Sequence, residues 1–226
     1  MIKEKFNAVK ERIRKAATRA ARDASDIILV CAVKEAGLED VNEAVEAGVT
    51  DIGENRVQDA LAKYDLLNKK ARLRWHFIGH LQTNKVKKAI ELFDLIHSVD
   101  SLRLAEEIQK QAEKRARIQS ILVQANVSGE SSKYGIAPEA LENLIKSIRD
   151  MKNLMLLGLM TMAPYSDNPE DSRIYFRRLK ELRDNLSSYE CGNIDMKHLS
   201  MGMSGDFEVA IEEGADIVRI GSAIFK

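Results

Sequence analysis

The chain has little cysteine: Cys31 and Cys191 are the only two among 226 residues. That spacing gives neither a disulfide framework nor a C-x-x-C metal pair, and it fits a reducing cytoplasm. Net charge is missing as well, because 35 basic residues balance 35 acidic ones. No global field draws the chain to nucleic acid or to an anionic membrane, so an anionic ligand needs a local site. No apolar run approaches the roughly 20 residues that span a bilayer. The opening MIKEKFNAVKERIRKAATRAARD alternates charged and apolar residues at helical spacing and lacks the apolar centre of a signal peptide. A soluble, cytoplasmic protein with no nucleic-acid and no membrane partner is expected.

What is present is alternation. Hydrophobic residues make up 45% of the chain, which supports one sizeable core. After an N-terminal helix expected over 1–23, short β-branched runs alternate with longer amphipathic stretches, with only three prolines. Repeated βα units and a parallel sheet follow from that pattern. Strands are predicted at 27–33, 50–52, 75–78, 95–99, 120–126, 156–160, 196–199 and 217–220. Helices are predicted at 38–46, 56–67, 101–116, 138–150, 170–187 and 207–213. Roughly eight strands favour a single (β/α)8 TIM barrel over residues 1–226, rather than an open doubly wound sheet.

Enzymes on this barrel place their chemistry at the carboxyl ends of the strands. Those ends carry Lys34, Gly53-Glu54-Asn55, Gly79-His80, Asp100, Asn126, Thr161, Ser200-Met201-Gly202 and Arg219-Gly221-Ser222. Lys34 closes a continuously apolar run. It either snorkels to water or sits desolvated, and desolvation would leave a neutral amine able to attack the aldehyde or ketone of a sugar, a keto acid or pyridoxal 5′-phosphate (PLP).

Near the C-terminus, Ser200, Gly202, Ser204 and Gly205 precede a helix, and Arg219, Gly221 and Ser222 follow the last strand. Small residues let backbone N–H groups close on a phosphate, at the loops where this barrel usually holds one. Arg219 can face that phosphate, a carboxylate or a ring nitrogen. Asn55 can point into the mouth, with Glu54 capping or pairing nearby. His76 and His80 straddle a strand end and lack the Glu of a zinc motif, so no metal is expected; His76 reads as a hydrogen-bonded core residue. His80, Asn84 and Lys85 edge the site, and Ser131-Ser132-Lys133-Tyr134-Gly135 reads as a rim loop. The methionines of 151–162 and 196–203 read as packing.

The apolar strand ending in Lys34, "IGENRVQ", "WHFIGHLQTNK", "LVQANVSGESSKYG", "GLMTMAP" and "LSMGMSGDFEVAIEEGADIVRIGSAIF" together resemble the pyridoxal phosphate homeostasis proteins, the YggS/PROSC family, in collinear order. The resemblance implies a barrel like the N-terminal domain of alanine racemase, holding PLP as a Schiff base on Lys34. It implies phosphate contacts at Ser200, Gly221 and Ser222, Arg219 near the pyridine nitrogen, and Asn55 and Met201 lining the pocket. Where the family usually has Ser before the lysine and Pro three residues after it, this chain has Val33 and Gly37. Ser222 replaces the usual Thr.

An arginine at the ring nitrogen disfavours its protonation and weakens the cofactor as an electron sink. The racemases draw a second acid/base from an additional β domain, and none of the five tyrosines here is an obvious substitute. The resemblance therefore implies a PLP carrier or buffer in vitamin B6 and amino-acid homeostasis, monomeric, with apo PLP-dependent enzymes as candidate partners. The competing expectations are a fold-type III PLP enzyme such as a weak racemase, and a Schiff-base aldolase whose phosphate site holds substrate.

Overall fold

The computed structural model describes residues 1–68, 73–130 and 133–226. Eight parallel strands close in sequence order: β1 (Ile28–Ala32), β2 (Asp51–Glu54), β3 (Arg74–Phe77), β4 (Leu95–Val99), β5 (Gln119–Gln124), β6 (Leu154–Met160), β7 (Ile194–Ser200) and β8 (Ile217–Ile220). Closure is made by β1 against β8, with Val30 opposite Arg219 and Cys31 opposite Ile220. The barrel expected from the strand count is the one found.

Nine α-helices surround it among the described residues: α1 (Ile2–Arg19), α2 (Leu38–Glu46), α3 (Val57–Asn68), α4 (Val86–Leu92), α5 (Leu102–Glu113), α6 (Pro138–Arg149), α7 (Arg173–Leu186), α8 (Phe207–Glu212) and α9 (Ser222–Phe225). Sequence reasoning passed over α4, which Lys85 and Phe93 flank where a capping Ser, Asp or Gly would mark its ends. It also began β6 and β7 two residues late.

Alternation along each strand sorts side chains into two cores. Outward residues such as Ile52, Trp75, Phe77, Ile96 and Ile121 join the helices in the main core. The lumen is a separate, smaller cluster of Val30, Leu95, Leu122, Met160 and Ile217. α1 presents Ile2, Phe6, Val9, Ile13, Ala16 and Ala17 on one buried face, spaced by three or four residues. It packs across α2, α8 and α9. Arg12 secures it, with Nη2 on Glu208 at 3.0 Å and its guanidinium 4.5 Å from the Phe207 ring centroid.

Candidate functional site

The strand pairing gathers the predicted residues at one end of the barrel. Ala32 lies opposite Gly53, and the Val33 N–H donates to Gly53 O at 3.0 Å. Lys34 and Asn55, each two residues further on, therefore leave the barrel side by side. On the other flank, a Cβ built on Gly221 would stand 2.9 Å from Ala32 O, so this glycine permits the β8–α9 turn to lie against the end of β1.

For Lys34 the structure selects between the two expectations, and the amine reaches water. The strand ends at Ala32, and the lysine sits in the turn beyond it with 48% of its side chain exposed. Its Nζ stands 3.9 Å from Glu35 Oε1, and Glu35 is also held by Lys226 at 2.7 Å. The amine is thus reachable from solvent rather than desolvated in a core. Val33 is the fully buried residue, packed outward in the main core, so the family's usual serine position does not face the mouth here. Gly37 caps α2 at φ −68°, the angle a proline would impose, and the turn geometry survives without one.

Below the rim lies Arg219, 4% exposed. Its Nη1 donates to Ser200 Oγ at 2.6 Å and its Nη2 to Thr161 O at 2.8 Å. Among the described residues no carboxylate lies within ion-pair distance of it. Burial brings its pKa down to about 10, so the guanidinium stays charged at neutral pH. Ser200 is fully buried, and its hydroxyl is also bonded to His97 Nδ1 at 2.8 Å. That bonding makes the side chain a partner of Arg219 rather than a member of the rim cluster in which the sequence placed it. Met201 is likewise fully buried in the main core, and its backbone N–H donates to the O of Ile217 at the start of β8.

The rim cluster instead centres on Ser204. The backbone N–H groups of Gly221 and Ala223 both donate to Ser204 Oγ, each at 3.3 Å, while Ser222 is exposed beside them. Two backbone N–H groups thus converge on one point of the rim, where the Ser204 hydroxyl oxygen accepts from both. Asn55 is partly exposed, and its loop is pressed close by Gly79, where a Cβ would come within 2.2 Å of Asn55 O. Glu54 proves to be a pairing residue. It is fully buried, bonded by Lys63 Nζ at 2.7 Å, and Lys63 also donates to Val33 O at 2.7 Å. Burial pushes the Glu54 carboxyl upward, an effect that Lys63 and the Asn55 N–H only partly offset.

Elsewhere on the same rim, His80 stacks on Tyr134 with centroids 4.1 Å apart and faces Asp100 at 3.5 Å. Beside them Tyr134, Met162, Tyr165 and Met203 line a cavity of about 320 Å³. Ser131 and Ser132 of the expected rim loop lie outside the described residues. His76 is the hydrogen-bonded core residue expected, bonded to Asp51 and His97. His97 was missed altogether. Its only signal was parity: in the apolar run Leu95-Ile96-His97 it occupies the lumen-facing position two after Leu95.

Comparison with known proteins bears on this arrangement. The sequence profile described as "Alanine racemase, N-terminal domain" matches residues 5–226. A pyridoxal phosphate homeostasis protein of Aquifex aeolicus is 50% identical over 222 residues, 98% of this chain and 96% of that one. The chain belongs to that family. A second member, from Pseudomonas aeruginosa, is 41% identical over 99% of this chain and 94% of its own. The structure of PipY from Synechococcus elongatus with PLP bound superposes with a TM-score of 0.87, at 30% identity and full coverage of both chains. No helix among the described residues is long and apolar enough to cross a membrane.

Proposed function

We propose that residues 1–226 form one PLP-binding barrel domain that holds and buffers PLP in the cytoplasm, and that Lys34, Asn55, Ser200, Met201, Arg219, Gly221 and Ser222 make its site. The observation carrying this reading is the buried Arg219 guanidinium, which among the described residues has no carboxylate in contact and lies beneath a rim that offers an accessible amine and converging N–H donors. Bound PLP supplies an electrophilic aldehyde, a dianionic phosphate and a pyridine ring. The donor set fits all three.

The Lys34 amine condenses with the aldehyde, forming a Schiff base with loss of one water. The N–H groups of Gly221 and Ala223 bind the phosphate, joined by the hydroxyls of Ser222 and Ser204. Met201 contributes its backbone alone, and Asn55 closes the mouth beside Lys34. Arg219 has five N–H donors, of which Ser200 and Thr161 engage two. A remaining one faces the ring nitrogen and opposes its protonation. A ring kept unprotonated is a poor electron sink, which favours storage and delivery over carbanion chemistry. Ser200 acts through Arg219 rather than on the phosphate. Monomeric protein and apo PLP-dependent enzymes as acceptors complete the proposal.

The test is reductive trapping. Protein incubated with PLP and treated with borohydride should carry one pyridoxyl adduct on Lys34, with a visible absorption band before reduction. Lys34→Ala should lose both. Colourless wild-type protein without an adduct overturns the reading, and amino-acid turnover abolished by Lys34→Ala replaces the carrier with an enzyme.

A further inference from the structure

A chain of hydrogen bonds runs through the lumen from the cofactor side to the opposite face. Ser200 Oγ meets His97 Nδ1 at 2.8 Å, His97 Nε2 meets His76 Nδ1 at 2.9 Å, and His76 Nε2 meets Asp51 Oδ1 at 3.0 Å. At one end Arg219 Nη1 donates to Ser200 at 2.6 Å. At the other, Arg74 reaches Asp51 at 2.8 Å from a side chain 59% exposed, and Thr50 Oγ1 donates to the same carboxylate at 2.6 Å. His97 and Ser200 are fully exposed to nothing but protein, and Asp51 and His76 are nearly so.

The ends dictate the direction. A guanidinium only donates and a carboxylate only accepts, while a neutral imidazole has one N–H and one acceptor nitrogen. With both histidines neutral, one assignment satisfies every link. Arg219 donates to Ser200, the Ser200 hydroxyl to His97 Nδ1, the His97 Nε2–H to His76 Nδ1, and the His76 Nε2–H to Asp51. A proton added to His76 would turn His97 around, so that Ser200 received two donors and its own hydroxyl hydrogen lost its acceptor. Burial, with His76, Arg219 and His198 nearby, holds His97 well below the usual histidine range, in keeping with the neutral form.

We propose that Asp51, His76 and His97 are positioning residues for Arg219. The carboxylate at the far face supplies, through a polarised relay, the counter-charge that Arg219 lacks in direct contact, and the relay orients the guanidinium beneath the mouth. Its effect on PLP rests on the reading that Arg219 faces the cofactor ring, but its direction does not.

Imidazole ¹⁵N NMR of the PLP-free protein at neutral pH tests the direction. His76 and His97 should both be neutral Nε2–H tautomers. A cationic ring, or His97 as the Nδ1–H tautomer, overturns the relay. For the effect, Asp51→Asn should weaken PLP retention roughly fivefold, the loss of about one hydrogen bond's contribution, and should shift the bound chromophore's absorption. Ser98→Ala is the control: Ser98 is a buried neighbour of His97 with an unbonded hydroxyl, and its removal should change neither. Equal behaviour of the two variants overturns the coupling. Should Asp51→Asn not fold, Arg74→Gln disturbs the same carboxylate from solvent and should move the absorption in the same way; an unmoved band then overturns the coupling. Arg219→Gln separates the two ideas. If it leaves the PLP spectrum unchanged, the ring-facing role of Arg219 fails while the tautomer result stands.

Discussion

Cys31 illustrates how a single side chain acquires its chemistry from its surroundings. It is fully buried in the wall of β1, and burial, with Asp51 nearby, pushes its thiol up to about 12. The unfolded thiol ionises near 8.5. The folded protein therefore keeps a proton that the unfolded chain releases, and stability present below about 8.5 is lost as the pH rises from there toward the folded value. Between pH 8 and pH 10 the wild type should lose about 2 kcal/mol more than Cys31→Ala in urea unfolding. Parallel losses in the two proteins would show that the thiol is not the titrating group. Alkylation of the native protein should mark Cys191, which is partly exposed, and spare Cys31.

At the scale of elements, α3 ties together the carboxyl ends of β1 and β2. Lys63 extends from this helix to the Glu54 carboxylate at the end of β2 and to Val33 O just past the end of β1, the residue before Lys34. Removing one partner of a buried pair leaves the other charge unpaired. Lys63→Met should accordingly cost about 3–5 kcal/mol in a denaturant titration. Adding Glu54→Gln should recover much of that loss, since the stranded charge is then gone. A single variant with an unshifted midpoint would mean that water already solvates Glu54. The same elements show what local pattern can convey. The continuous runs of β1, β4 and β8 were legible because strand residues differ from their neighbours in composition. Seven-residue α4 was not, because Lys85 and Phe93 at its ends carry no capping signal, whereas the shorter α8 lies between Asp206 and Gly214.

Across the whole molecule, the balanced charge is spent on ties between helices rather than on a field. Arg12–Glu208, Arg19–Glu212 and Arg22–Asp216 fasten α1 and the turn after it to α8 and to the approach to β8, while Arg173 joins α7 to Glu212 and Glu213 at 2.7 and 2.9 Å. Large exposed apolar groups include Tyr134, Tyr165 and Met203, which share the rim cavity beside the mouth. The proposed monomer should give a mass near 25.4 kDa in light scattering at micromolar concentration. Twice that mass, reduced on substitution of Tyr165 and Met203 by Ser, would instead make this rim a self-association face.

The sequence by itself determined the βα alternation, the barrel and the rim residues Lys34, Gly221 and Ser222, because each is written in contiguous residues: apolar runs, small turn residues and the motifs of the family. Tertiary structure decided how the interior is wired. Ser200 and His97 are 103 residues apart, His76 and His97 are 21 apart, and His76 and Asp51 are 25 apart. Those distances along the chain have no periodic signature. Only closure of the sheet turns four strands' inward positions toward one axis, and that closure bonded Ser200 to Arg219 and left Ser204 at the rim, beside the N–H groups of Gly221 and Ala223.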